Sequence, residues 1–360
     1  MFIHSSIYDP VNIISQIKDL SIENTIDGVM CLGTDAPVTV ATIANEFNLS
    51  SVPITAAKKT SNKAMIKEVF YEVGINTPSY LSTKEKEEAR TFTNSNSFPM
   101  IIKPDDSRGS RGVGILWDAS NFDLLFEEAQ NFSSSGTVII EEYIDGQQIS
   151  TESIIYDNRS YTPGFSDRNY ELITRQKSRV IENGGDLPAK LDDETKEKIN
   201  KLVEKLALAL EIKNGVIKGD VILCKGQIYF IEVALRLSGG YFSSHKIPYS
   251  TGVNMLDAAT KICTGEELDI KMLEARQAKP VSQRFLFPQE GKIQSINNNY
   301  LDSKKDILFS NISIPASGVT KSPENHTSRL GCVIATGKDR QDAINNAEKF
   351  ISNIDLVYVK

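Results

Sequence analysis

The residues best suited to chemistry lie in GDVILCKGQIYFIEVALR, where Asp220 sits in one apolar run and Glu232 and Arg236 in the next. With a strand period of two, Ile228, Phe230, Glu232, Ala234 and Arg236 share a face, and a carboxylate and a guanidinium there are costly to bury without partners. A two-residue turn at Lys225-Gly226 sets Asp220 against Ile231, on the wrong side of the sheet. An odd-numbered loop or a bulge puts Asp220 beside Glu232 instead. We expect the latter, because two carboxylates held together repel when bare but make a hard oxygen site suited to Mg²⁺. The plainer alternative is an Arg236 to Glu232 salt bridge.

A second group surrounds SRGSRGVG. Gly109, Gly112 and Gly114 permit close backbone approach, so successive N–H groups can cradle phosphate oxygens. The chain contains no GxxxxGK[ST] pattern, and these glycines open a strand (ILW) rather than a helix, which excludes the two familiar phosphate loops. The loop reads as a flap between antiparallel strands, with Lys103 at its base and Arg108 and Arg111 within it. Lys63, in the first turn of a helix, opposes the helix dipole and suggests an anionic partner. In VIIEEYIDG, the backbone at Glu142 and Ile144 could pair with a purine edge flanked by Tyr143 and Ile144, although a solvated strand end is the commoner outcome.

The elements that carry these residues alternate. Asp9-Pro10 starts a helix to about Leu20, Ile26 to Gly33 has the pattern of a buried strand, and Asp35 with Pro37 caps a helix to about Phe47. Together they suggest a small parallel α/β piece. Ser61 caps an amphipathic helix to Val73 that is stopped by Gly74 and Pro78. Phe98 to Pro104 reads as a strand, and Asp193 to about Ile212 as a core-packing helix. Trp117 and FDLLF read as core, His245 as a structural histidine, and Lys177 and Arg179 as surface residues.

The 360 residues, with 22 Gly and 13 Pro and a net charge of -7, suit a globular chain of two or three domains and argue against a nucleic-acid surface. No apolar run has the length of a membrane-spanning helix, and the N-terminus lacks a signal-peptide pattern, so a cytoplasmic protein is expected. Four widely spaced cysteines, Cys31, Cys224, Cys263 and Cys332, suggest reduced thiols.

Taken in order, NKAMIKEVFYEVGINTP, FPMIIKPDDSRGSRGVGI, VIIEEYIDGQQISTE, GDVILCKGQIYFIEVALRLSGG, STGVNMLDAATKICTGE and RLGCVIATGKDRQDAINNAEKFI resemble the ATP-grasp superfamily, in its carboxylate-amine ligase branch. The resemblance implies an α/β protein, α+β in its core. It would have a shortened N-terminal α/β domain (1–60), an ATP-grasp core (61–267, with a flap subdomain at about 78–140) and a C-terminal lobe (268–360). It implies that Lys63 and Lys103 bind ATP phosphates under a flap containing Ser110, Arg111 and Gly112. Glu141, Glu142, Tyr143 and Ile144 would line the adenine, and Gln148 would stand where many members place a ribose-binding Glu. Asp220 and Glu232 would hold Mg²⁺, and Arg236 would face the carboxylate substrate and its acyl phosphate. Ala234 departs from the family, which usually has a metal-binding Asn there.

The implied activity is an ATP- and Mg²⁺-dependent ligase that phosphorylates a carboxylate, condenses it with an amine and releases ADP and phosphate. The alternatives are a non-catalytic ATP-binding regulatory subunit and a purine-pathway enzyme with a different acceptor. The leading sheet would lack an edge strand that a second copy could fill, so a homodimer is expected.

Overall fold

The computed structural model describes residues 3–20, 25–173, 178–298 and 304–359. The chain divides into two compact units and passes between them more than once.

The first unit comprises Met1–Thr77, Ser150–Phe165 and Lys190–Gln277. Its sheet places Arg159–Arg168, Gln147–Tyr156, Gly215–Cys224 and Gln227–Ala234 side by side in that order. Helices Ile54–Ser61 and Lys63–Glu72 pack on the last strand, where the Phe70 and Phe230 rings meet at 5.8 Å and the Phe230 amide donates to the Asn76 carbonyl. Helix Asp193–Ala209, capped by Asp192, buries Ile199, Val203 and Leu206 at helical spacing.

Three local expectations change. The strand foreseen over Ile26 to Gly33 is reduced to one parallel bridge, Leu32 with Leu237. A strand persists only as far as its partner runs alongside, and past Leu237 the chain enters the Gly239-Gly240 turn. Helix Pro37–Glu46 has no side-chain cap: its N-cap position is Ala36, and Asp35, one residue earlier, bonds Arg236. The helix carrying Lys63 is capped by Asn62, whose side chain accepts from the Met65 amide, while Ser61 ends a separate preceding helix.

The second unit comprises Pro78–Ile149, Ser166–Ala189 and Ala278–Lys360. One antiparallel sheet orders Tyr80–Thr83, Val138–Glu142, Met100–Pro104 and Gly114–Leu116. Helix Phe122–Phe132 covers it with Phe122, Leu125 and Phe126, against Met100, Ile102 and Ile140. Strands Met100–Pro104 and Gly114–Leu116 flank the glycine loop, as expected of a flap, with Met100 opposite Leu116. Farther along, Ile307–Ile312, Gly331–Thr336, Val281–Leu286 and Gly185–Leu187 lie in that order, and helix Arg340–Ser352 packs Ala347 and Phe350 on Val333 and Ala335. A small three-stranded sheet orders Val319–Thr320, Gly291–Asn298 and Ile354–Tyr358.

Candidate functional site

In the first unit, strands Gly215–Cys224 and Gln227–Ala234 start in straight register from Cys224 opposite Gln227 to Val221 opposite Phe230. There Ile231 is skipped, and Asp220 falls opposite Glu232. The bulge brings both carboxylates to one face. Asp220 accepts from the Ser150 hydroxyl at 3.2 Å through one oxygen and from the Lys218 ammonium through the other. Lys218 Nζ also lies 4.0 Å from one Glu232 oxygen, and Lys63 Nζ lies 4.0 Å from the other. Glu232 therefore offsets the dipole cost of a lysine at a helix start. Its side chain is 40% exposed, against 10% for Asp220.

Two adjacent carboxylates, one open to solvent, suit a hard cation that completes its shell with water or phosphate oxygens. Among the described residues no cluster of three or more His, Cys, Asp or Glu is placed to hold a metal ion.

Arg236 does not pair with Glu232. Its Nε donates to Asp35 at 2.5 Å, and its Nη1 to the Leu237 carbonyl at 3.2 Å. Burial opposes the charge on Arg236, but Asp35, Glu152 and Glu232 outweigh it and leave its pKa above the ordinary arginine value. The segment bearing Asp35 is seated by the Gly33 amide on the Leu237 carbonyl. Gly33 has φ +64°, and a Cβ there would stand 3.1 Å from Gly239 Cα. Behind this loop lies Glu152, fully buried on Gln147–Tyr156, which accepts from the Ser238 amide at 2.9 Å through Oε1. Its Oε2 has no hydrogen-bond partner, and burial pushes its pKa to about 7 despite the bonds from Ser238 and Ser243. His245 contacts Tyr241 and Tyr249 edge-on and bonds Ser244, as a structural histidine does.

In the second unit, Lys103 stands opposite Ile139, so Glu141, two residues on, shares its face. Their side chains form a buried ion pair. Ile144 is buried, Tyr143 packs 6.0 Å from Trp117, and Gln148 is half-buried. The Glu142 amide donates to the Ser79 carbonyl at 2.9 Å and is committed there. In the flap, Gly109, Ser110 and Gly112 all have positive φ. A Cβ on Gly112 would meet Phe132 and Pro104 at about 3 Å. Arg111 is exposed and bonds the Arg108 carbonyl. Ser110 bonds His326 Nε2 at 3.1 Å, and the His326 amide donates to the Gly109 carbonyl. Arg179 pairs with Glu128, while Lys177 lies outside the described residues.

The structure thus gathers Lys63, Asp220 and Glu232 in one unit and Lys103 with Glu141 in the other. Lys218, Asp35, Glu152 and His326 were not foreseen. Lys218 and Glu152 had a signal in the strand period, each standing two residues from a polar neighbour on its own face. Asp35 and His326 had none, because their partners are 201 and 216 positions away.

A model of the ATP-grasp domain matches residues 60–240, and one of the L-amino acid ligase C-terminal domain 2 matches residues 284–359. The carbamoyl phosphate synthase large chain, C-terminal section, of Aquifex aeolicus (strain VF5) is 27% identical over 256 residues, 66% of this chain and 44% of that protein. The chain spans less than half the length of the curated relatives it matches. Among solved structures, the L-amino acid ligase from Bacillus licheniformis superimposes with a TM-score of 0.82 at 19% identity, covering 98% of this chain and 86% of that one. The biotin carboxylase domain dimer of Hydrogenobacter thermophilus 2-oxoglutarate carboxylase, in complex with MgADP, does so with a TM-score of 0.72 at 17% identity, covering 100% and 81%.

Proposed function

The chain belongs to the ATP-grasp family, and from that premise we propose that it is an ATP-dependent ligase joining a carboxylate to an amine through an acyl phosphate. The observation that carries the reading is the bulge that sets Asp220 beside Glu232, with Lys63 and Lys218 around them. A carboxylate is a poor electrophile, and moving the γ-phosphoryl group of ATP onto its oxygen makes phosphate the leaving group. The amine then attacks, loses a proton and expels phosphate.

Each residue has a physical task in this scheme. Lys63 and Lys103 offset phosphate charge, since phosphoryl transfer depends mainly on positioning and charge neutralisation. The backbone amides of Ser110 and Gly112 line the phosphates, that of Arg111 being held by the Arg108 carbonyl, and Tyr143, Ile144 and Gln148 serve the nucleoside. Asp220 and Glu232 would hold Mg²⁺, which would supply positive charge against that of the phosphates. Arg236, fixed in direction by Asp35, presents its remaining N–H groups to the substrate carboxylate and then to the oxyanion of the tetrahedral intermediate.

The test is phosphate release from ATP and Mg²⁺ across a matrix of carboxylates and amines. Release that needs one matched pair, and falls at least about 100-fold in E232Q, supports the ligase. Nucleotide binding without turnover across the matrix favours a regulatory ATP-binding subunit, and turnover with bicarbonate or formate alone favours the purine-pathway alternative. Four free thiols support a cytoplasmic setting, and the dimeric relative supports a homodimer, which light scattering checks.

A further inference from the structure

Lys218 lies two residues before Asp220, so the strand period places both on one face, and the register sets Lys218 directly opposite Ala234. The small Ala234 side chain leaves room on that face and offers no oxygen. Into this setting Lys218 brings an ammonium bonded to Asp220 and 4.0 Å from Glu232, on a side chain only 13% exposed. Ser150 holds the other Asp220 oxygen, which fixes that carboxylate against the ammonium. With Lys63 on the far side of Glu232, two lysines balance two carboxylates within one face.

An ammonium is a compact point charge with three donors, so it can bond a carboxylate and still present protons to an arriving phosphate oxygen. A divalent ion would do the same electrostatic work. Two carboxylates facing a nucleotide polyphosphate concentrate negative charge, and each fixed positive charge reduces the demand for mobile ones.

We propose that Lys218 is the resident cation of this carboxylate pair and takes the place of one divalent ion, so that the site operates with a single metal ion per nucleotide. The inference rests on the ATP-binding reading above and adds the metal count and the residue that sets it. Ala234 is the necessary counterpart, since an oxygen-bearing side chain there would favour a second ion.

The experiment counts Mn²⁺ bound per non-hydrolysable ATP analogue by electron paramagnetic resonance, with calorimetry giving the affinity, on wild type, K218M and K218Q. One Mn²⁺ per bound nucleotide in the wild type, rising to two or binding at least tenfold more tightly in either variant, is the expected result. Two ions on the nucleotide-bound wild type overturn the inference and leave the functional reading intact. Unchanged stoichiometry and affinity in a folded variant also overturn it. If K218M does not fold, the polar K218Q decides the comparison, and the wild-type count alone still decides against the inference. Absence of nucleotide binding removes the functional reading, and this inference with it.

Discussion

Asp220 and Glu232 stand opposite each other across two antiparallel strands because Ile231 is left out of the ladder. Without that bulge the Lys225-Gly226 turn would set Asp220 against Ile231, and the two carboxylates would face opposite sides of the sheet. The bulge is the local irregularity on which the candidate metal site depends.

Loss of Glu232 should affect chemistry more than folding. Glu232 is partly exposed, so E232Q should change the melting temperature little while lowering phosphate release about 100-fold or more. Thermal unfolding and a phosphate assay on the same preparation separate the two effects. A large fall in stability with proportionate activity would assign Glu232 a structural role instead.

The Asp35 bond directs Arg236. Asp35→Asn keeps the shape but removes the charge, and a charge-assisted hydrogen bond typically contributes about 1.5–3 kcal/mol. The expected outcome is a KM for the carboxylate raised roughly tenfold or more, with the KM for ATP unchanged. Asp35→Glu should recover part of the loss. Equal changes in both constants would count against a positioning role.

Lys103 and Glu141 form a buried pair, and removing one partner takes the opposite charge away from the other. Lys103→Met alone should destabilise the protein by about 3–5 kcal/mol, whereas Lys103→Met with Glu141→Leu should restore much of the stability. If Lys103 binds phosphate, the refolded double variant stays inactive and binds ATP weakly. Denaturant titration and nucleotide calorimetry read the two effects separately, and an active double variant would remove Lys103 from the site.

Glu152 should make stability depend on pH. Its carboxyl is raised from the ordinary 4.5 to about 7 by burial, so the folded state prefers the protonated form. The contribution is full below about 4.5, declines as pH rises towards 7, and is lost above it. At about 1.4 kcal/mol per pKa unit this is on the order of 3 kcal/mol. Glu152→Gln should flatten that part of the stability–pH curve, measured by denaturant titration between pH 5 and 8. An unaltered slope would show that another group titrates there.

Much of this was legible because it is local. The flap is announced by three glycines between two apolar strands, the core of helix Asp193–Ala209 by its spacing, and the carboxylate pair by a carboxylate in each of two successive apolar runs, although Glu232 is partly exposed rather than buried. Even the bulge could be argued, since it alone makes a hard oxygen site of the two carboxylates. Local signals misled where a tertiary partner competed. Asp35 has the residue type of a cap, but the helix begins one residue later, with Ala36 at its N-cap, and Asp35 pairs with Arg236. The strand expected over Ile26 to Gly33 had the right residues but only one bridge's worth of partner.

The sequence by itself determined the residue types, their order and the faces they occupy, because strand and helix periods act over a few positions. Only the tertiary structure decided which charges meet. Arg236 took Asp35 rather than Glu232, Lys218 came between Asp220 and Glu232, and Ser110 found His326. Such pairings depend on distances across the folded chain that no local period encodes, and burial then makes each one costly to leave unmade.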